Sequence, residues 1–218
     1  MKEYQAKRVL IMVAVEAERE AIVRGLGDTA RFDVRVAGVG PVAAAVRTAQ
    51  ALAAAEYRLV ISAGIGGGFP GRAEVGSLVV ASDILAADLG AETAEGYCSV
   101  EKLGFGSSRV PVDAVLVQKV TEAMRTAGLT VTTGPVLTLS TVTGTAATAS
   151  ELADRVPGAV AEAMEGFGVA FAAHDRGLPV LEIRAISNAV GPRDKSAWRM
   201  KEAFAALQAA SAVLVEVL

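Results

Sequence analysis

Apolar residues fall along the chain in short continuous runs, separated by stretches in which they recur every three or four positions, a pattern of buried strands alternating with amphipathic helices. Val9 to Ala14 reads as a first strand, Glu16 to Leu26 as a helix stopped by Gly27, and Phe32 to Ala37 as a second strand. Gly38-Val39-Gly40-Pro41 then turns the chain into an alanine-rich helix ending near Ala55, with Pro41 suited to its first turn. Arg58 to Ala63 predicts another buried strand running into Gly64-Ile65-Gly66-Gly67-Gly68, four glycines in five residues, which reads as a ligand-facing loop. Val75 to Leu85 is again strand-like with no helix before it. Strict strand–helix alternation therefore fails there, and a mixed sheet is expected.

The pattern dissolves between Ala86 and Pro111, a glycine-bearing segment whose length suggests a lid or a subunit contact. A helix from Asp113 to Ala127 and a strand from Leu129 to Ser140, interrupted at Gly134-Pro135, follow it. Ser140 to Thr148 is a polar Ser/Thr stretch, and Ala149 to Val156 a helix. Ala159 to Ala161 reads as a short strand, and Glu162-Ala163-Met164-Glu165 as the entry to a helix reaching about Arg176, with His174 late in it. Pro179 opens a strand from Val180 to Ile186 that carries Glu182 and Arg184 and ends at Ser187-Asn188, before Gly191-Pro192 forces a loop. Charges in such a run are either one solvated face of an edge strand or a partnered site, and ligands in open α/β sheets bind beyond the carboxyl ends of strands. Ala203 to Leu218 reads as a terminal helix, too short and too interrupted to span a bilayer.

Composition narrows the classes. The 218 residues suit one domain, residues 1–218, and 52% hydrophobic against 21% charged residues supply a sizeable core. A net charge of -3, with no Lys/Arg stripe, argues against a nucleic-acid surface, and no membrane partner is expected. Lys2, Lys7 and Arg8 precede an apolar run that meets Glu16, Glu18 and Glu20 without a cleavage-type site, so a first strand is expected rather than a signal peptide. Cys98 is alone, which excludes a disulfide framework and a cysteine metal cluster and suits a reducing cytoplasm. No zinc-ligand spacing and no G-x-S-x-G elbow occur, and a single histidine leaves no Ser-His-Asp triad. Gly38-x-Gly40 lacks the downstream glycine of a dinucleotide fingerprint, Val42 and Ala43 standing there instead. Strand ends nevertheless deliver Glu18, the glycine run, Ser140 to Thr143, Glu165 and Asn188.

Three motifs resemble those of the purine nucleoside phosphorylases and nucleosidases: Val13-Ala14-Val15-Glu16-Ala17-Glu18, Ala161-Glu162-Ala163-Met164-Glu165 and Arg184-Ala185-Ile186-Ser187-Asn188. Within that family, Met164-Glu165-Gly166 and the tail from Asn188 to Trp198 are similar to a branch that hydrolytically releases hypoxanthine from a nucleoside. The resemblance implies a three-layer α/β/α fold around a mixed, partly barrel-like sheet. It also implies a homo-oligomer, a dimer or higher, acting on a small-molecule nucleoside without metal or cofactor.

By the same resemblance Glu18 activates water, Arg184 stands beside it, and Glu165 accepts from ribose hydroxyls while Met164 packs on the sugar. Asn188 faces the purine where adenine-cleaving relatives carry Asp. Its amide can donate to O6 and accept from N7–H of a departing oxopurine, although a flipped amide also pairs with adenine. Val142 replaces a stacking aromatic ring, Thr141 and Thr143 are expected to line the base pocket with Gly66 and Gly67, and Phe105 to close it from the same or a neighbouring subunit, or else to be buried at an interface. Arg109, Arg193 and Lys195 are the candidates for an aryl carboxylate on the substrate. A phosphorylase needs several cations at its first loop, which offers Glu18 and only Arg19. A nucleoside-binding module without chemistry is the non-enzymatic alternative.

Overall fold

The computed structural model describes residues 8–218. Lys2 and Lys7 lie outside them. The strands are β1 (Arg8–Val13), β2 (Phe32–Val36), β3 (Tyr57–Gly68), β4 (Leu78–Ala86), β5 (Gly90–Thr93), β6 (Gly96–Ser99), β7 (Arg109–Pro111), β8 (Val131–Thr138), β9 (Ala161–Ala163) and β10 (Val180–Ala189). The helices are α1 (Glu16–Leu26), α2 (Pro41–Ala54), α3 (Val100–Leu103), α4 (Ala114–Thr126), α5 (Ala146–Arg155), α6 (Gly166–Asp175) and α7 (Met200–Val217). Among the described residues no helix is long and apolar enough to cross a membrane.

Everything hangs on β3, whose 12 residues are long enough to serve two neighbours on one edge. Its first half pairs in parallel with β1, which pairs with β2, while its end at Gly67 and Gly68 pairs antiparallel with β9. The other edge runs parallel to β10 from Val60 opposite Val180 to Gly68 opposite Ala189. Strand β10 is antiparallel to β4, β4 parallel to β8, and β8 parallel to β9, which returns to β3. Five strands thus close into a ring, with β1, β2 and β7 extending it. This is the mixed, partly barrel-like sheet expected.

Helices cover both faces because the strands are apolar on both. In β1, Val9, Ile11 and Val13 point to one core with Ile22 of α1, Met124 of α4 and Leu207 of α7. Leu10 and Met12 point to the other, with Ala44 of α2 and Val169 of α6. A third cluster, Leu85, Leu137 and Leu139, is covered by Leu152 of α5. Each such fully buried aliphatic side chain contributes roughly 1.5–3 kcal/mol. In β10 the face shared with Val180 and Ile186 carries Glu182 and Arg184, opposite Ser62 and Gly64 of β3. The charges therefore point inward, toward α6, and the edge-strand reading does not hold.

Three expectations are corrected. The glycine run is strand, not loop: Gly64, Gly66, Gly67 and Gly68 all pair with β10, and side chains there would strike their neighbours. Glu162 belongs to β9 rather than to the start of a helix, which begins only at Gly166. The 86–111 segment folds into the β5–β6 hairpin, α3 and β7. At Gly134-Pro135 the pairing of β8 with β4 slips by one residue, the bulge that accommodates a proline inside a sheet.

Candidate active site

Chain direction alone puts Glu18 at the site: β1 ends at Val13 and α1 starts at Glu16, so the third helical residue faces back over the strand end. Its Oε2 accepts the backbone N–H of Ala14 at 2.8 Å and of Val15 at 3.1 Å, two donors the helix N-terminus leaves open. Its Oε1 accepts from Ile65 N at 2.9 Å. The carboxylate is 2% exposed, and burial pushes its pKa above the usual carboxylate value, against the lowering by these N–H groups and by Arg184. Three of its four acceptor positions are used, which leaves one for a ligand or a water.

Arg184, 1% exposed, is the counter-charge. Its Nε donates to Glu182 Oε1 at 2.8 Å, Nη2 to Ser62 Oγ at 2.9 Å, and Nη1 lies 3.5 Å from Glu165 Oε2. Gly64 is what allows Glu18 and Arg184 to converge. A methyl built there would stand 2.5 Å from Glu18 Oε1 and 2.9 Å from Arg184 Nη1. Glu182 is buried with one oxygen unpartnered beneath Gly166, where a Cβ would collide with it, and burial raises its pKa. Glu165 precedes α6, and its Oε1 accepts from Gly40 N at 3.2 Å, tying the loop before α2 to the same cluster.

Beyond Gly64, about 10 Å further along β3, the chemistry changes. Gly67 pairs with Glu162 on one side and Asn188 on the other. Ser187 Oγ donates to Asn188 Oδ1 at 2.8 Å, and Asn188 Nδ2 donates to Ala189 O at 2.9 Å, which orients the amide. Glu162 Oε1 accepts from Thr143 N at 2.9 Å and Oε2 from Thr143 Oγ1 at 2.5 Å. Burial raises the pKa of Glu162, opposed by those bonds and by Arg193.

One cavity of about 300 Å³ joins the two ends. Of the residues proposed from sequence, it is lined by Glu18, Gly66, Gly67, Val142, Thr143, Met164, Glu165 and Asn188. Arg184 lies behind its wall, so it acts on the carboxylates rather than on a ligand directly. One expectation is corrected: Thr141 is exposed and does not line the cavity, because the bend after β8 turns Ser140 and Thr141 to solvent before Val142 and Thr143 turn inward. Phe105 is 82% exposed and does not line this chain's cavity, so it does not close it from the same subunit. Arg193 lines the cavity with its guanidinium over the Trp198 ring at 5.3 Å. Arg109 instead pairs with Asp83 at 2.8 Å, and Lys195 sits exposed in a single 3-10 turn, Lys195–Ala197. Sequence reasoning missed Glu162 and Trp198 as lining residues. The signal for Glu162 was the same as for Glu182, a carboxylate in an apolar strand. Among the described residues no group of three His, Cys, Asp or Glu side chains could hold a metal.

With this geometry in view, the family model described as Phosphorylase superfamily matches residues 9–218. A futalosine hydrolase of Streptomyces coelicolor is 52% identical, the match covering 96% of each chain. One of Acidothermus cellulolyticus is 46% identical over 92% of this chain and 90% of its own. In fold, the native structure of futalosine hydrolase of Helicobacter pylori superposes with a TM-score of 0.83 at 16% identity, covering 96% of this chain and 98% of that one.

Proposed function

The chain belongs to the phosphorylase superfamily, and from that premise we propose that it is a futalosine hydrolase, cleaving futalosine to hypoxanthine and dehypoxanthine futalosine on the futalosine route to menaquinone. The observation that carries this reading is that Glu18, Glu165 and Asn188 line one cavity.

Cleaving an N-glycosidic bond builds positive charge on the ribose and negative charge on the departing base, as in glycoside hydrolysis. Glu18 takes a proton from water as its oxygen attacks C1′, and the C1′–N9 electron pair leaves with the base. Glu165 accepts from the ribose hydroxyls, and its charge favours the cationic sugar. Arg184 holds Glu165 and Glu182 in place and keeps Glu18 ionisable despite burial. Asn188 stabilises the leaving oxopurine by hydrogen bonding, since an amide has no proton to give up. Arg193 is the cation of the three candidates that reaches the cavity, although its place beside Glu162 favours the base end over the aryl carboxylate.

The functional unit is a homo-oligomer. Helices α2 and α6 touch at Pro41 and Gly168 and expose Val42, Val46 and Phe171, and Val39 carries this apolar face to the cavity mouth. The compartment is the cytoplasm, where a lone cysteine stays reduced.

Incubation with futalosine and with 5′-methylthioadenosine, following free base, tests the assignment. Faster release from futalosine without phosphate is expected. Preference for the adenine nucleoside, or strict dependence on phosphate, overturns it.

A further inference from the structure

The most unusual group in the cavity is Glu162. It is a buried carboxylate with no part in the chemistry above, standing in the same row as Asn188 across three strands. Gly67, between them, has no side chain. A methyl built on it would lie 3.4 Å from Asn188 Nδ2 and 3.5 Å from Glu162 Cγ, so the two side chains converge on this glycine. Val190 Cγ2 packs over the glycine, 3.0 Å from that methyl, and Glu162, Gly67 and Asn188 together line the base end of the cavity. A purine presents N7, the group at C6 and N1 along one edge, so an edge lying in the cavity against both side chains meets the amide at N7 and C6 and the carboxylate at N1.

A 6-oxopurine carries hydrogen on N1, whereas adenine carries a lone pair there. We propose that Glu162 is the specificity-determining residue for a 6-oxopurine, accepting the N1–H that adenine lacks; this rests on the hydrolase reading given above. Thr143 prepares the group for that task. Its N–H and hydroxyl both donate to the carboxylate, which favours the ionised form and still leaves two of four acceptor positions open. Adenine N1 would point a lone pair at the carboxylate, and a site built to receive a donor rejects the analogue without one. Guanine shares N1–H and O6, so the class that Glu162 reads is the 6-oxopurine rather than hypoxanthine alone.

Two measurements decide the matter. On the wild-type protein, calorimetric binding of hypoxanthine and 1-methylhypoxanthine is compared. The methylated base is expected to bind about 10- to 100-fold more weakly, the weight of one hydrogen bond to a charged group. Equal binding overturns the proposal whether or not any variant folds. In Glu162→Gln, kcat/KM is then measured for futalosine and for its 6-amino analogue. The variant is expected to shift the ratio of the two by at least about tenfold toward the amino compound, because an amide can donate to adenine N1. An unmoved ratio, with both substrates impaired alike or neither, reduces Glu162 to a support for Thr143 and overturns the proposal. A wild-type preference for the 6-amino nucleoside is a different failure, that of the futalosine assignment itself.

Discussion

Arg184 Nε donates to Glu182 Oε1 at 2.8 Å across a single intervening residue of β10, and neither side chain reaches solvent. Two further carboxylates, Glu18 and Glu165, gather on the same guanidinium. One cation thus organises both groups that the proposed reaction needs on the sugar side. Its own position depends on Glu182, which never meets the cavity.

Removing Glu182 should therefore weaken the fold before it touches the chemistry. Glu182→Leu preserves bulk but leaves Arg184 without its shortest partner. Breaking a buried pair in this way costs about 3–5 kcal/mol, to be read from urea unfolding. Glu182→Gln, whose amide oxygen still accepts from Nε, should lose much less. Equal stability of wild type and the leucine variant would show the pair to be energetically neutral.

Glu18→Gln should lower kcat by ~10²–10⁴-fold while hypoxanthine binds almost as before. The wild-type pH profile carries the matching signature. Burial holds the Glu18 carboxyl above its ordinary value of 4.5, and water activation needs the ionised form, so kcat/KM should rise with pH through a midpoint above 4.5. Stability responds with the opposite sign. A carboxyl whose pKa is raised on folding adds stability below 4.5 that is lost as pH climbs through the folded value. An acid limb at or below 4.5 would remove Glu18 as the base.

Gly64→Ala tests the convergence of Glu18 and Arg184. A methyl at 2.5 Å from Glu18 Oε1 must displace a carboxylate pinned by three backbone N–H groups. A shift of about 1 Å costs on the order of 10²-fold in turnover. Overpacking adds a loss of about 1–3 kcal/mol in stability. Steady-state kinetics beside thermal unfolding separates the two, and unchanged kcat would show that Glu18 needs no such precision.

Val46→Glu together with Phe171→Glu places two charges on the apolar face of α2 and α6. Sedimentation should shift from an oligomer to a 22.3 kDa monomer. A wild type that sediments as a monomer at micromolar concentration would remove the oligomer from the reading.

Much of this arrangement was legible in the residues. Helix α1 was readable from Glu16 to Leu26 because an acidic first turn and Gly27 mark both ends of one amphipathic stretch. Glu18, Glu165 and Asn188 stood out as polar residues at strand ends. The glycine run misled because absence of side chains looks the same in a loop and in a strand crossed by crowded neighbours. Only the pairing partners of β3 tell the two apart. Glu162 was absorbed into a helical pattern because three residues are too few to show a strand period. Thr141 is not legible because the direction of a side chain in irregular backbone is set by tertiary contacts.

The charge cluster around Arg184 also constrains how such a protein can change over generations. With the guanidinium gone, Glu182 and Glu165 would lose their cation inside the protein; with Glu182 gone, Arg184 would lose its shortest partner and pull on the two carboxylates of the site instead. A descendant chain that replaced the cluster with aliphatic residues could be equally sturdy, yet routes to it by single substitutions pass through intermediates in which a buried charge has lost its nearest partner. Lineages are thereby held to the ancestral arrangement by the valley between the two, whatever nucleoside they come to use.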